Sequence, residues 1–153
     1  MFIIGIKNTM VEKITYKDLL LGILIRANFN KDGIEFFTES QSSQQLGYMK
    51  RKKNYNIIPH RHNIVSRDVK ITQEVLFIKS GKVRVDFYDN QEKYVFSKTL
   101  NPLDTILLCE GGHGFHFIEE SEIIEVKQGP YIEERDKIRF NSNISNIIID
   151  DEF

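Results

Sequence analysis

Histidines form two short clusters in this protein, and the spacing within the first cluster suits metal binding. His60 and His62 stand two residues apart in PHRHN, and His113 and His116 stand three apart in EGGHGFHF. On a β-strand, residues i and i+2 project from the same face, so two imidazoles at that spacing can chelate one ion. The first cluster is therefore expected to supply two metal ligands if it lies on a strand.

Glu74 is the carboxylate that could complete such a site. It precedes the apolar run Val75 to Ile78 in the stretch EVLFIK. A carboxylate held close to a hydrophobic core must be paired or bound to a cation, because burying an isolated charge is costly. Glu74 is therefore a candidate ligand, and the alternative is a solvated glutamate at the end of a strand.

The second histidine cluster offers two candidates, which strand parity separates. Phe115 and Phe117 share a strand face with His113, whereas His116 points to the other face. The inner face of a small β-barrel is filled by large apolar side chains and by site residues, which favours His113 as the inward ligand. A bulge at Gly112 or Gly114 would exchange the two histidines, so His116 is the alternative ligand.

The elements that must position these residues are short strands separated by turn residues, with no long helical period. The pattern predicts strands over 19–26, 34–38, 44–50, 55–60, 74–79, 83–88, 94–100, 105–110, 114–118 and 123–127. Strands at this spacing predict a single all-β domain, a sandwich or a barrel, over residues 1–153. Its core is expected over about 15–140, with a flexible or partner-docked tail at 141–153.

Composition gives no general reason to expect a nucleic-acid or membrane partner. The sequence has 21 Lys and Arg against 22 Asp and Glu, a formal charge of −1 that predicts neither a nucleic-acid nor a membrane partner. A lone Cys109 and the absence of a signal-peptide pattern are typical of a cytoplasmic protein. The basic run at 50–53 is interpreted as a solvated turn, or alternatively as a rim that attracts a phosphate or carboxylate.

The order HxH, Glu, then Gly81 resembles the first motif of the cupin superfamily, and LDTILLCEGGHGFHF resembles the second. The resemblance covers about residues 54–126 and implies a cupin-type jelly-roll β-barrel with one divalent metal ion inside. Fe, Mn, Ni and Zn all suit such a mixed ligand set. The ligands carried over from the resemblance are His60, His62, Glu74 and either His113 or His116. Eleven residues separate His62 from Glu74, which predicts an inserted loop or a displaced glutamate.

Other phrases, among them IIEVKQGPY, resemble a group of small bacterial cupin-like proteins that are often encoded among genes for surface polysaccharide and nucleotide-sugar synthesis. The resemblance implies a sugar-like ligand, an isomerase or epimerase if the protein is an enzyme, and a homodimer. Weaker candidates for substrate contact or catalysis are Tyr48, Glu125, Lys127 and Tyr131. The alternatives are an Fe(II)-dependent oxygenase, a metal-free epimerase with His62 as base and Tyr131 or Tyr48 as acid, and a non-catalytic module that binds a carbohydrate or anion.

Overall fold

The computed structural model describes residues 10–151, which divide into two compact units. The first unit comprises residues 10–29 and 72–151, and the second comprises residues 30–71. The elements are β1 Val11–Tyr16, β2 Leu19–Ile25, β3 Gly33–Phe36, β4 Gly47–Lys50, β5 Glu74–Ser80, β6 Val83–Tyr88, β7 Tyr94–Leu100, β8 Thr105–Leu108, β9 Gly112–Phe117, β10 Glu122–Lys127 and the short helix α1 Glu133–Asp136. The prediction of an all-β protein is confirmed at this level.

The first unit contains two antiparallel sheets that share one hydrophobic core. The five-stranded sheet has the order β1-β2-β8-β5-β10, and the three-stranded sheet has the order β7-β6-β9. Both sheets contribute to the core, for example through Leu76 and Ile78 of β5 and through Val83, Val85 and Phe87 of β6. We call the core-facing side of each sheet its inner face. No closed barrel is formed by the strands of residues 10–151.

Short turns connect β5, β6 and β7 at the points that the sequence predicts. The turn between β5 and β6 contains Gly81 at φ 81°, where a larger residue would be strained and would also collide with the backbone oxygen of Glu120. The predicted strands 83–88 and 94–100 coincide with β6 and β7. β1, which the sequence pattern does not predict, pairs with β2, and its register is interrupted by an irregularity between Ile14 and Thr15.

The second unit has one hairpin, β3–β4, in which Ile34 is paired with Met49. The strand predicted over 55–60 is wrong, because residues 55–70 have neither strand nor helix. Pro59 has no N–H to donate to a sheet, and Asn54 just before this stretch has φ 66°, so the backbone is turned away from an extended path. The same-face argument for His60 and His62 therefore loses its basis in strand geometry.

The C-terminal segment, predicted as a flexible or partner-docked tail, lies against β7 of the same protein molecule. Ser97 N–H donates to the carbonyl of Ile148 at 2.8 Å, and Asp150 N–H donates to the carbonyl of Ser97 at 2.9 Å. The neighbouring Lys98 is buried, with its Nζ 2.6 Å from Glu12 Oε1 and 2.8 Å from Asp150 Oδ2. Residues 10–151 include no helix long and apolar enough to span a membrane.

Candidate functional site

Glu74 lies on the inner face of the five-stranded sheet, at the first position of β5. It shares that face with Leu76 and Ile78, which are almost completely buried. In the antiparallel ladder Glu74 is opposite Lys127 of β10, and Leu76 is opposite Glu125. The sheet therefore brings three charged side chains to one end of its inner face, and polar groups so close to a core need partners.

His113 lies on the inner face of the three-stranded sheet and contacts Glu74 at a solvent-exposed position beside the core. β9 pairs with β6 without a register shift, and His113 is opposite the buried Phe87. The His113 Nε2 atom is 3.1 Å from Glu74 Oε2, although 39 positions separate the residues in sequence. The hydrogen bond from His113 holds the pKa of the Glu74 carboxyl below its usual value, against the opposing effect of burial. An ionised carboxylate can only accept, so Nε2–H is the donor in this pair.

Lys127 adds a cation to the same cluster. Its Nζ atom is 2.6 Å from Glu125 Oε1 and 3.5 Å from Glu74 Oε1. The hydrogen bond to Glu125 raises the pKa of the Lys127 ammonium above its usual value. The same Nζ atom is 4.9 Å from the centre of the Tyr131 ring, at a distance suited to a cation–π contact. Glu74, His113, Glu125, Lys127 and Tyr131 are thus brought together within the first unit.

The register also decides the orientation of the second histidine cluster. His116 is opposite Arg84 on the outer face of the sheet, whereas His113 shares the inner face with Phe115, whose ring centre is 5.4 Å away. The predicted assignment of faces is confirmed, and the exchange by a glycine bulge does not occur. The role of His113 as a metal ligand remains a prediction.

The expectation that phenylalanines fill the inner face around His113 is wrong for this edge of the sheet. Phe115 is 38% exposed and Phe117 is 54% exposed, although both lie opposite buried valines of β6. β9 ends its sheet, so no further strand covers their rings. Their alternation is visible in the sequence, but it does not reveal that the strand lies at an edge. An exposed aromatic pair beside a polar cluster is a surface on which a ligand can stack.

The other predicted site residues lie in the second unit. The rings of His60 and His62 are 5.3 Å apart, and both residues are exposed on a stretch without secondary structure. The His60 Nδ1 atom is 3.0 Å from the carbonyl oxygen of Ile58 and is therefore the donor, which leaves Nε2 as the nitrogen that could bind a metal. Tyr48 is half-buried on β4, opposite Glu35.

The donors of the first unit do not by themselves make a metal centre. Glu74 and His113 supply one carboxylate and one imidazole, and the ammonium of Lys127 already lies beside that carboxylate. Catalytic metal sites usually have three protein ligands. Nowhere in residues 10–151 do three or more His, Cys, Asp or Glu side chains converge to hold an ion. The cluster is equipped for proton transfer, with an ionised carboxylate, an oriented imidazole and an ammonium group.

Comparisons of the sequence and structure with protein-family models, with curated proteins and with solved structures found no match.

Proposed function

We propose that the first unit is the body of a cupin-type jelly roll. The support is its connectivity, because the polypeptide passes between the two sheets after β5, β7, β8 and β9. As a result β10 lies beside β5 and β9 lies beside β6, with antiparallel pairing throughout. Two interleaved Greek keys produce this kind of strand order in jelly rolls. The site proposed below lies on the inner faces of such a body, where jelly rolls commonly bind ligands.

For this site we propose a sugar-like small molecule as substrate and an isomerase or epimerase as the activity. The observation that carries the proposal is the contact between Glu74 and His113, with Lys127 beside it. His113 belongs to β9, the edge strand of the three-stranded sheet, so no further strand covers this position. Exposed Phe115 and Phe117 offer apolar faces for a sugar ring or a nucleotide base. The Lys127 ammonium offers a charge for a phosphate or carboxylate of the same ligand.

The proposed mechanism is the transfer of one proton at a carbon next to a carbonyl group. Glu74 accepts the Nε2–H of His113 and thereby fixes the tautomer in which Nδ1 can take up a proton. The carbon–hydrogen bond breaks, its proton moves to Nδ1 of His113, and its electron pair forms an enolate whose oxygen Lys127 stabilises. When a water molecule protonates the same carbon from its opposite face, the product is an epimer, and the hydroxide left behind takes up the proton of His113. When His113 instead returns its proton to the neighbouring carbonyl carbon and the adjacent hydroxyl proton moves to the enolate oxygen, the product is an isomer.

Hydrogen–deuterium exchange tests this mechanism before the product is known. The full-length protein is incubated in D2O with a panel of nucleotide sugars and sugar phosphates, and proton NMR follows the loss of ring or side-group C–H signals. Wild-type protein is expected to exchange one position, and His113→Gln is expected to slow the exchange by roughly 100-fold or more. His116→Gln is the matched control, since His116 lies on the same strand and the opposite face.

Two outcomes would overturn the catalytic proposal. Equal exchange rates in the two histidine variants would remove His113 from the mechanism. Saturable binding of a sugar without exchange or turnover would instead identify a non-catalytic carbohydrate or anion-binding module.

A divalent-metal centre is the second candidate, and the histidine pair of the second unit favours it. The rings of His60 and His62 are neighbours, 5.3 Å apart and nearly perpendicular, and His60 donates from Nδ1 to a backbone carbonyl, as metal-binding histidines commonly do. Within the second unit, His60 and His62 would supply two of the ligands of such a centre. When bound, a divalent metal would polarise a substrate oxygen as a Lewis acid. The Fe(II)-oxygenase alternative depends on the same ligands.

Metal analysis of the purified full-length protein tests this candidate. Native protein is expected to contain one equivalent of metal, and the double variant His60→Ala, His62→Ala is expected to contain much less. His116→Ala is the control, because it removes one imidazole from the outer face. Native protein without stoichiometric metal, and with the same unfolding curve before and after chelation, would contradict the metal centre while leaving the exchange experiment valid.

A further inference from the structure

Charge is distributed very unequally between the two units. Residues 30–71 contain eight Lys and Arg against four Asp and Glu. The remaining residues contain 13 Lys and Arg against 18 Asp and Glu. The total charge of −1, from which we expect no membrane partner, is therefore the sum of a basic second unit and an acidic remainder. Local charge, and not the total, determines what a surface attracts.

The basic charge is concentrated in one stretch, residues 51–71, which we call the exposed segment. Every one of its residues is exposed, and the structure gives 51–70 neither helix nor strand. It contains six Lys and Arg and a single acidic residue, Asp68, for a formal charge of +5. A loop of this length without secondary structure is uncommon in a compact protein unless it has a function or is disordered.

The exposed segment is also rich in large apolar side chains. Ile58 is 83% exposed, and Ile64 is exposed as fully as in an extended peptide. The other exposed apolar residues of the segment are Tyr55, Ile57, Val65, Val69 and Ile71. Each such residue would gain free energy by leaving water, so a surface that combines them with basic charge is typical of a contact site.

We propose that the exposed segment is a peripheral docking site for the surface of an anionic lipid bilayer. Lys52 and Lys53 would lie near the lipid phosphates, while the isoleucine side chains enter the boundary between headgroups and acyl chains. The backbone would stay at headgroup level, where water and polar groups satisfy its N–H and C=O groups. The complementarity of charge and the aliphatic content together select this partner.

Nucleic acid fits the same segment less well. Binding of single strands typically uses aromatic side chains as stacking platforms, and the exposed segment has only Tyr55, with no Phe or Trp. The Tyr55 ring is already covered on one side by Arg51, whose guanidinium carbon is 4.5 Å from the ring centre. Phosphate binding would use the basic residues but would leave the aliphatic side chains in water.

Vesicle sedimentation tests the proposal with the full-length protein. The probes are vesicles of pure phosphatidylcholine and vesicles of phosphatidylcholine and phosphatidylglycerol in a three-to-one ratio. Wild-type protein is expected to bind the mixed vesicles, to bind less as salt is added, and to ignore the neutral ones. The triple variant Arg51→Gln, Lys52→Gln, Lys53→Gln is expected to bind roughly 100-fold more weakly, at about fivefold for each charge removed.

Matched variants separate the segment from the remainder of the surface. Ile57→Asn with Ile58→Asn removes apolar contact at unchanged charge and is expected to weaken binding by about tenfold or more. Ile138→Asn is its control, because Ile138 is 84% exposed in the first unit. The control for charge is Lys93→Gln with Lys137→Gln and Arg139→Gln, which removes three exposed cations outside the segment. Far-UV circular dichroism verifies that each variant is folded.

The outcomes decide between partners. Weaker vesicle binding by both segment variants, with both controls unchanged, supports the proposal. Equal binding to neutral and anionic vesicles, no binding to either, or equal losses in variants and controls would overturn it. Binding to double-stranded DNA that survives the isoleucine changes, in the absence of vesicle binding, would overturn it in favour of nucleic acid.

Discussion

The Glu74–His113 pair and the exposed segment illustrate two different ways in which one protein presents polar side chains. Glu74 lies on β5, which is paired with β8, and His113 lies on β9, which is paired with β6. Each side chain therefore has a defined face and a defined partner. His60 and His62 have no ladder, and their backbone follows no regular alternation. Residue spacing thus has geometric meaning only where hydrogen-bonded neighbours impose a period on the backbone.

Truncating an apolar side chain should reveal the largest difference between the two regions, measured as the loss of folding stability. Phe87 is buried on the inner face between the sheets, so Phe87→Ala is expected to destabilise the protein by about 3–5 kcal/mol. Ile64→Ala in the exposed segment is expected to change stability by no more than about 0.5 kcal/mol, because its side chain makes little contact. Urea unfolding measures both. Similar losses would mean that the exposed segment is packed in solution.

Thiol reactivity should show a second large contrast. Burial raises the pKa of the Cys109 thiol to about 11, so little thiolate is present near neutral pH. Iodoacetamide at mildly alkaline pH is expected to alkylate Cys109 roughly 100-fold more slowly than a cysteine introduced as Ser66→Cys in the exposed segment. Both should react at similar rates in urea. Rapid alkylation of native Cys109 would show that the stretch after β8 opens readily.

Acid should produce the smallest of these effects, through the carboxyl of Glu74. The pKa of Glu74 is lowered in the folded protein, so its ionisation contributes stability above about pH 4.5, the usual value, and this contribution is lost as the pH falls through the folded pKa. Glu74→Gln is expected to be less stable than wild type at pH 7 by about 1 kcal/mol, a value discounted for solvent screening. The difference should shrink in acid.

Unfolding curves at a series of pH values measure this effect. Glu110→Gln provides the control, because Glu110 is an exposed carboxylate just before β9. A stability difference for Glu74→Gln that stays constant from neutral to strongly acidic pH would contradict the assignment of the effect to Glu74 ionisation.

Much of the strand pattern could be predicted because it depends on the residue types within each short stretch of sequence. β5, β6 and β7 have alternating or continuous apolar residues bounded by turn residues, and their predicted positions agree with the structure. The predicted strand at 55–60 had similar apolar content and was wrong. Apolar residues favour a strand only when a neighbouring strand and a core are available to receive them, and the composition of a short stretch does not report either.

The candidate site was predictable in part for the same reason. Parity placed His113 and Phe115 on one face, and the unshifted register of β9 with β6 confirmed it. The ion pair of Lys127 with Glu74 was not predicted, since it depends on β10 pairing with β5 at a separation of about fifty residues. The buried Lys98 was not predicted either, because its partners Glu12 and Asp150 lie near opposite ends of the sequence.

Local sequence was sufficient for the all-β class, the turns between β5, β6 and β7, and the opposite faces of His113 and His116. Each of these follows from backbone preferences and from the two-residue period of a strand, which act over a few neighbouring positions. Tertiary structure was required to establish that Glu74 contacts His113, that Phe115 and Phe117 remain exposed, and that residues 55–70 form no strand. These depend on which strands become neighbours and on where a sheet ends, and long-range packing settles both.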